Sequence, residues 1–266
     1  MFYKAIGISK QAVHKYLNND MKRREERSYL FQIIYQIRQD HPTMCVRDMY
    51  FIIKPSTLGR DAFEHMCKNE GLSAMRHFNY RKTTDSNGVI RFDNLLIGLI
   101  INRIDQVWQS DITYFDVRGK FYYITFILDA YSRRIVGHST SKRLTTEQTT
   151  LPAIQLAFKT RGRKKLDDLI LHSDGGGQYY DKEFIALIRE QGLTSSMCEY
   201  PWDNGKAERI NGVIKNNYLI HRSIKTFDEL KYEVDRSVKL YNYEKPHIAL
   251  QRKTPITFEN EILSLH

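Results

Sequence analysis

The sequence predicts an α/β protein in which a mixed five-stranded sheet is flanked by helices and preceded by a small all-α region. Three observations predict it. The first hundred residues alternate short helical patterns with Pro and Gly breaks. Residues rich in Val, Ile, Phe, Tyr and Thr begin at Val107, which is typical of strands. Beyond residue 146 helical and strand patterns alternate, which indicates strands added in parallel to the same sheet.

Residues 1–78 form the predicted helical region. Within residues 2–18 we predict the end of one helix, a turn at Gly7 and a second helix from Lys10 to Leu17 that is capped by Ser9. This is the outline of a helix-turn-helix, a motif that DNA-binding proteins dock into the major groove. A solvent-exposed amphipathic helix is the alternative interpretation.

Further helices are predicted at Tyr29 to Arg38, Thr43 to Ile53 and Arg60 to Asn69. Gly71 ends the last of them. Such a unit can place its last helix in a major groove, with Lys10 and Arg60 as candidate DNA contacts. A purely structural bundle would show the same pattern. Residues 79–105 are mixed in character and are predicted to be a linker.

Residues 106–266 form the predicted catalytic core with a carboxyl-terminal helix and tail. Its predicted elements are strands Val107–Val117, Phe121–Asp129 and Arg134–Ser139, helix Thr146–Lys159, strand Leu169–His172, helix Lys182–Gln191, strand Leu193–Met197 and a helix from Lys206 onward. The first three strands follow one another across short turns, so they are expected to be antiparallel. The last two are expected to extend the sheet in parallel.

Composition and charge narrow the class of protein. The chain has 41% hydrophobic residues and a formal net charge of +10, which suits a globular protein that binds a polyanion such as nucleic acid. The longest apolar stretch, Leu95 to Ile101, is far too short to cross a bilayer. Three widely spaced cysteines give no disulfide framework, which fits a reducing compartment. We therefore expect a cytoplasmic protein without a membrane partner.

Three carboxylates occupy places that can converge. Asp111 lies within the first strand, Asp174 just past the fourth, and Glu208 on the helix that follows the fifth. If the first and fourth strands are neighbours, both aspartates lie near one edge of the sheet, and a glutamate on a covering helix can face them. Carboxylate oxygens are the ligands that Mg²⁺ prefers, and a pair of such ions can catalyse phosphoryl displacement. A cap or surface role is the alternative for each carboxylate taken singly.

A glycine run, Gly175 to Gly177, directly follows the second aspartate. It permits close backbone approach and loop movement beside a bound DNA strand, although a simple turn is the alternative. It is not a phosphate-binding P-loop, because the Gly-Lys-Ser/Thr that opens such a helix is absent from this segment.

Five segments together resemble the insertion-sequence transposases of the DDE and retroviral-integrase superfamily. They are Trp108–Tyr114, Asp129–Gly137, His172–Tyr179, Ser196–Met197 with Asp203–Asn211, and Tyr241–Asn242 with Pro246–His247, Leu250 and Pro255. The resemblance is strong over residues 107–258 and looser over residues 29–72. It implies a ribonuclease H-like integrase core in which Asp111, Asp174 and Glu208 are the catalytic and metal-binding triad.

The resemblance also implies an activity and its partners. A transposase of this kind would cleave transposon ends and transfer the strands to target DNA, with two Mg²⁺ or Mn²⁺ ions in each active site. Its partners would be transposon-end and target DNA, further copies of the same chain, and a first-frame subunit of the same element. On this view the chain is a second-frame catalytic subunit, located in the prokaryotic cytoplasm with the nucleoid.

Several polar residues near the triad have expected roles. Asn211 and Lys215 lie three and seven positions after Glu208, so they share its helix face and can present to a phosphate backbone, as can Lys206. Asp203 and Asn204 are expected to cap the helix that carries Glu208. Asp129 is expected to fix a turn, and Trp108 and His172 are expected to be structural.

Two departures from the family pattern leave alternatives open. The interval between Asp174 and Glu208 is shorter than is usual, with the shortening at Cys198 to Trp202, and Lys245 stands where arginine is common. A nuclease of the same fold would hydrolyse DNA or RNA without joining strands. A catalytically silent DNA-binding regulator is the second alternative.

Overall fold

The structure is a computed structural model that describes residues 7–74, 92–162 and 166–264. The chain divides into two compact units, Met1–Met75 and Arg76–His266. Within the described ranges, no helix combines the length and the hydrophobicity needed to cross a bilayer. The predicted helix end before Gly7 and the Asn87-Gly88 part of the predicted linker lie outside the described residues.

The first unit contains the helices α1 (Lys10–Asp40), α2 (Val46–Ile53) and α3 (Arg60–Asn69). They pack around a small core that includes Leu30, Ile34, Met49, Phe63 and Cys67. Ser9 caps α1 as predicted, since its side chain accepts a hydrogen bond from the Ala12 amide. The two candidate DNA contacts of this unit begin α1 and α3: Lys10 is exposed, and Arg60 pairs with Asp61.

The predicted break between Leu17 and Tyr29 is wrong, because α1 runs through it without interruption. The intervening residues contain neither Pro nor Gly, and most of them are charged residues with good helix propensity. α2 also begins three residues later than predicted, at Val46, after a cap in which Cys45 accepts a hydrogen bond from the Asp48 amide. α3 has the predicted bounds.

The second unit is built on the predicted five-stranded mixed sheet. In the described chain its strands are β1 (Val107–Val117), β2 (Lys120–Asp129), β3 (Ile135–Ser141), β4 (Leu169–Ser173) and β5 (Leu193–Met197), in the order β3-β2-β1-β4-β5. The β1–β2 and β2–β3 pairs are antiparallel, and the β1–β4 and β4–β5 pairs are parallel. The first and fourth strands are therefore neighbours, as the proposed site requires.

Helices cover both faces of this sheet. They are α4 (Thr150–Arg161), α5 (Lys182–Glu190), α6 (Gly205–Asn217), α7 (Phe227–Tyr243) and α8 (Pro255–Ser264). One apolar core lies between the sheet and α4 and α5, and the other lies between the sheet and α6 and α7. Gly137 of β3 allows α4 to approach, because a Cβ at this position would lie 2.2 Å from the Ala153 carbonyl oxygen. α4 begins at Thr150 rather than at the predicted Thr146.

Residues 93–105 are hydrogen-bonded to the core where we predicted a linker. The Leu95 amide donates to Ser196 Oγ over 2.9 Å, and that hydroxyl donates to the Asp93 carbonyl oxygen over 3.2 Å. Farther along, Asp105 is buried and receives the Trp108 indole N–H. The bonds to Ser196 place the start of this segment beside β5, the edge strand of the sheet. Such long-range contacts leave no periodic pattern in the local sequence.

A buried ion network joins α4 and α8 to the β2–β3 turn. Arg161, at the end of α4, forms ion pairs with Asp105 at 2.7 Å, Asp129 at 3.3 Å and Glu259 at 2.8 Å. Glu259, from α8, also accepts hydrogen bonds from Arg134 and from the Ser132 hydroxyl. Burial opposes ionisation of Glu259, but the bonds and charge of Arg161 outweigh it and lower its pKa.

Candidate active site

Asp111 lies in the middle of β1 and is held by two hydrogen bonds. Its Oδ1 accepts from the Ile112 amide over 2.8 Å, and its Oδ2 accepts from Asn211 Nδ2 over 2.7 Å. Burial, followed by repulsion from Asp174 and Glu208, raises its pKa to about 8. Asp174 and Glu208, although distant in sequence, are thus near enough to Asp111 to disfavour its charge.

Asp174 reaches this place because β4 runs parallel to β1. Ser173, the last residue of β4, pairs with Ser110, and the residue that follows each of these serines in the chain is an aspartate. The Gly176 amide donates to Asp174 Oδ1 over 3.2 Å, and a Cβ on Gly176 would lie 3.1 Å from the same oxygen. Burial raises the pKa of Asp174. The glycine run therefore lets the backbone fold closely over the carboxylate.

Glu208 projects from the first turn of α6 and is exposed. α6 is anchored across β1 by the buried side chains of Ile210 and Ile214. Asn211 and Lys215, on the same face, contact Asp111 and Thr113 respectively. Glu208 lies one turn before Asn211 on α6, close enough to contribute to the raised pKa of Asp111.

The three carboxylates form an oxygen-rich donor set. In the described residues no three His, Cys, Asp or Glu side chains stand close enough to hold a metal ion as they are placed. Repulsion keeps uncompensated carboxylates apart, and a divalent cation reverses that repulsion. Asn211 Oδ1 is also buried without a hydrogen-bond donor among the described residues. This surplus of acceptor oxygens fits a hard cation such as Mg²⁺.

The other predicted site residues differ in how they are placed. Asn211 is buried against Asp111 and therefore orients the carboxylate rather than standing free for DNA. Lys215 Nζ donates to Thr113 Oγ1 over 3.2 Å and lies 5.1 Å from the centre of the Tyr114 ring. Burial lowers the pKa of Lys215, whereas Asp111 raises it. Lys206 donates to the Ala130 carbonyl oxygen over 3.1 Å.

The prediction that Asp203 and Asn204 cap α6 is wrong. Asp203 instead caps the short 3₁₀ helix Pro201–Asn204, where its Oδ2 accepts from the amides of Glu199 and Tyr200. Asn204 occupies the N-cap position of α6 but makes no side-chain cap bond. Its Nδ2 donates to the Ser110 carbonyl oxygen over 2.9 Å, which ties the start of α6 to the residue before Asp111.

The supporting residues include some that the sequence did not indicate. The buried Gln109 donates to the Asp203 carbonyl oxygen over 3.4 Å, and Tyr179 shares a 2.8 Å hydrogen bond with the Ser110 hydroxyl. The first four residues of β1 are all buried, so the local sequence does not indicate which partner Gln109 or Ser110 contacts. Asp129 accepts from the amides of Tyr131 and Ser132 and so fixes the turn as expected.

Two structural assignments are also confirmed. Trp108 is fully buried and donates its indole N–H to Asp105. His172 is buried beside Ser196, with which its Nδ1 shares a 2.9 Å hydrogen bond. The hydrogen bonds of both residues go to partners outside the Asp111, Asp174 and Glu208 set, so their roles are structural.

Family models match the second unit. The model described as the integrase core domain matches residues 102–200, and a second model of the same description matches residues 196–255. Together they span residues 102–255, which is more than half of the 266-residue chain.

Similar proteins come from insertion sequences. An uncharacterized 31 kDa protein of insertion element IS600 from Shigella sonnei is 26% identical over 96% of both chains. The putative transposase for IS986/IS6110 of Mycobacterium tuberculosis is 31% identical over 58% of each chain. The transposase for IS629 of Shigella sonnei is 29% identical over 63% of this chain and 56% of that protein. The chain thus spans less than two thirds of the latter two relatives.

A solved structure is similar over the same region. The HTLV-2 integrase catalytic core domain in complex with magnesium is 22% identical, over 58% of this chain and 95% of that chain, with a TM-score of 0.47. From the family matches over residues 102–255, the chain belongs to the integrase core family.

Proposed function

We propose that this chain is an insertion-sequence transposase, which cleaves the ends of its element and joins them to target DNA at a site formed by Asp111, Asp174 and Glu208. The observation that carries the proposal is the approach of Asp174, at the end of β4, and of Glu208, on α6, to the buried Asp111 of β1. Asp174 and Glu208 are close enough to Asp111 to raise its pKa, and burial penalises the charge of both aspartates. Such an arrangement is costly unless a cation is bound there.

Asp111, Asp174 and Glu208 would hold two divalent ions, Mg²⁺ or Mn²⁺. When bound, these ions activate the attacking oxygen and neutralise charge on the phosphodiester in the transition state. Asn211 and the Ile112 amide fix the orientation of the Asp111 carboxylate through one hydrogen bond to each oxygen. The Gly176 amide does the same for Asp174. These contacts preorganise the donor oxygens.

Lys215 would approach the phosphate backbone of the bound strand. Its ammonium group lies on the helix face that carries Asn211, and Thr113 and Tyr114 hold it along β1. A positive charge at this place would attract the DNA backbone without reading its sequence. Lys206, bonded to a backbone carbonyl, and the exposed Lys10 and Arg60 of the first unit are further candidate contacts.

The DNA partners would be the ends of the element and its target, bound by more than one copy of this chain. A first-frame subunit of the same element would supply most of the end recognition. Sequence-specific binding by this chain alone is therefore expected to be weak, and a tight specific complex in a gel assay would contradict this part of the proposal.

Strand joining by the Asp174→Asn variant tests the assignment. The substitution preserves shape but removes a charged oxygen donor, so joining of end-sequence DNA with Mg²⁺ or Mn²⁺ is expected to fall by more than about 100-fold, the loss that even a metal ligand's hydrogen-bonding partner can cause. Asp181→Asn, at the cap of α5, is the matched control and should retain joining. Undiminished joining by Asp174→Asn would refute the site.

A further inference from the structure

Two exposed aromatic rings form a stacked pair in the loop between β5 and α6. The ring centres of Tyr200 and Trp202 lie 4.6 Å apart, with 6° between the ring planes. Tyr200 is 52% exposed and Trp202 is 72% exposed, whereas Trp108 is fully buried. Burial of an indole ring is favourable, so a partner that covers the exposed face of Trp202 would gain that free energy on binding.

The backbone that presents this pair is held in place. Asp203 Oδ2 accepts hydrogen bonds from the amides of Glu199 at 3.2 Å and Tyr200 at 3.1 Å, and from Asn94 Nδ2 at 3.0 Å. A single carboxylate thus closes the turn that carries both rings. The rings are presented in a fixed orientation, which lowers the entropy lost when a flat ligand stacks on them.

The same turn is tied to the acidic site. Gln109 donates to the Asp203 carbonyl oxygen over 3.4 Å, and Asn204 donates to the Ser110 carbonyl oxygen over 2.9 Å. Gln109 and Ser110 are the two residues before Asp111, and α6 leads from the turn directly to Glu208. The aromatic pair therefore belongs to the structure that positions the carboxylates.

We propose that Trp202, backed by Tyr200, stacks on an unpaired base of the DNA strand whose phosphodiester lies at the acidic site. The proposal rests on the proposed function, because it needs DNA at Asp111 and Glu208. A nucleobase fits this place because it is flat and because each of the four bases has a π-face. It is also covalently linked to the phosphodiester that would lie at the carboxylates. The shortened loop would then serve as a base platform.

Trp202 fluorescence in the full chain tests the platform, because the sequence has two tryptophans and Trp108 is buried. The probes are a duplex of arbitrary sequence with an unpaired 3′ extension and a blunt duplex of equal length, both with Ca²⁺ in place of Mg²⁺, so that the carboxylates stay compensated while cleavage is slowed. The extended duplex should quench the emission more strongly than the blunt one. In a gel-shift titration, which needs no tryptophan, Trp202→Leu should weaken binding of the extended duplex about 5- to 150-fold, and that of the blunt duplex less than about twofold.

Trp202→Phe is the matched control and should retain most of the preference for the extended duplex, since it keeps a ring. The proposal would be overturned if Trp202→Leu lost affinity equally for both duplexes, or lost no affinity for the extended duplex. It would also be overturned by quenching that depends on protein concentration without DNA, because Trp202 would then contact a second copy. Selective quenching by a chain that cleaves no DNA would refute the proposed function alone; cleavage without selective quenching would refute the platform alone.

Discussion

Acidic side chains at two places along β1 have opposite electrostatic surroundings. Near the start of the strand, Asp105 and Asp129 share Arg161 with Glu259, and the pKa of Glu259 is lowered despite its burial. In the middle of the strand, Asp111 is held by an amide and by Asn211, and its pKa is raised to about 8. Burial is common to the aspartates of both groups, and it raises the pKa of Asp129 even beside Arg161. The contrast therefore lies between Glu259, whose charge arginines compensate, and Asp111, whose pKa the neighbouring carboxylates raise further.

The largest expected effect comes from breaking the compensated network. Glu259→Ala would leave Arg161 and Arg134 buried without their shared carboxylate, which is expected to lower the free energy of unfolding by about 3–5 kcal/mol. Thermal and urea denaturation measure the loss. Glu261→Ala is the matched control on α8, because it removes only a more exposed pair with Lys253 and is expected to cost at most about 1 kcal/mol. Equal losses of unfolding free energy in the two variants would show that the buried network is worth no more than the exposed ion pair.

The second prediction concerns the pH dependence of the metal-free chain. The folded state raises the pKa of Asp111 from 3.8 to about 8, so it binds this proton more tightly than the unfolded state does. Its contribution to stability is therefore complete below about pH 4 and is lost as pH rises to about 8. Asp111→Asn should abolish this loss, which is on the order of a few kcal/mol, in denaturation measured at several pH values with EDTA.

Asp116→Asn, on the exposed end of the same strand, is the control and should keep the wild-type pH profile. Adding Mg²⁺ should flatten the wild-type profile, because an ion that binds the ionised carboxylate stabilises the folded state. An unchanged pH profile in Asp111→Asn would show that its charge is already compensated.

The third and smallest expected effect concerns the orientation of Asp111. Asn211→Ala removes the hydrogen bond to Asp111 Oδ2, and loss of such a partner is expected to weaken Mg²⁺ affinity about 10- to 100-fold. Because that bond also lowers the pKa of Asp111, the rise of cleavage rate with pH should shift to higher pH. Asn217→Ala, near the end of the same helix, is the control. A loss of stability without either change would assign Asn211 a packing role only.

Local patterns predicted much of the second unit. β1 and β5 of this unit, and α3 of the first unit, have the predicted bounds. Glycines mark these bounds, since Gly119 follows β1, Gly192 precedes β5, and Gly59 and Gly71 lie beside α3. α7 has its own start signal, the Thr226 and Glu229 capping box, which had not been assigned. The prediction of two helices in place of α1 is wrong, because the charged residues between Leu17 and Tyr29 have high helix propensity and continue the helix.

Long-range partners were not predictable from local sequence. Arg161 and Glu259 are separated by almost a hundred residues, and neither has a neighbour in sequence that indicates the other. Asp203 and Asn204 have the residue types of helix caps, but tertiary bonds to Asn94 and Ser110 determine where their side chains point. The order of strands brought Asp111 and Asp174 together as predicted.

The position of Glu259 in the chain also affects when the protein can finish folding during synthesis. Arg161, Asp129 and Asp105 leave the ribosome long before α8 does, and at about 5–20 residues per second they wait several seconds for their last partner. Until then the nascent chain carries an arginine whose burial is incompletely compensated. The catalytic unit is therefore expected to reach its final stability only after translation of α8.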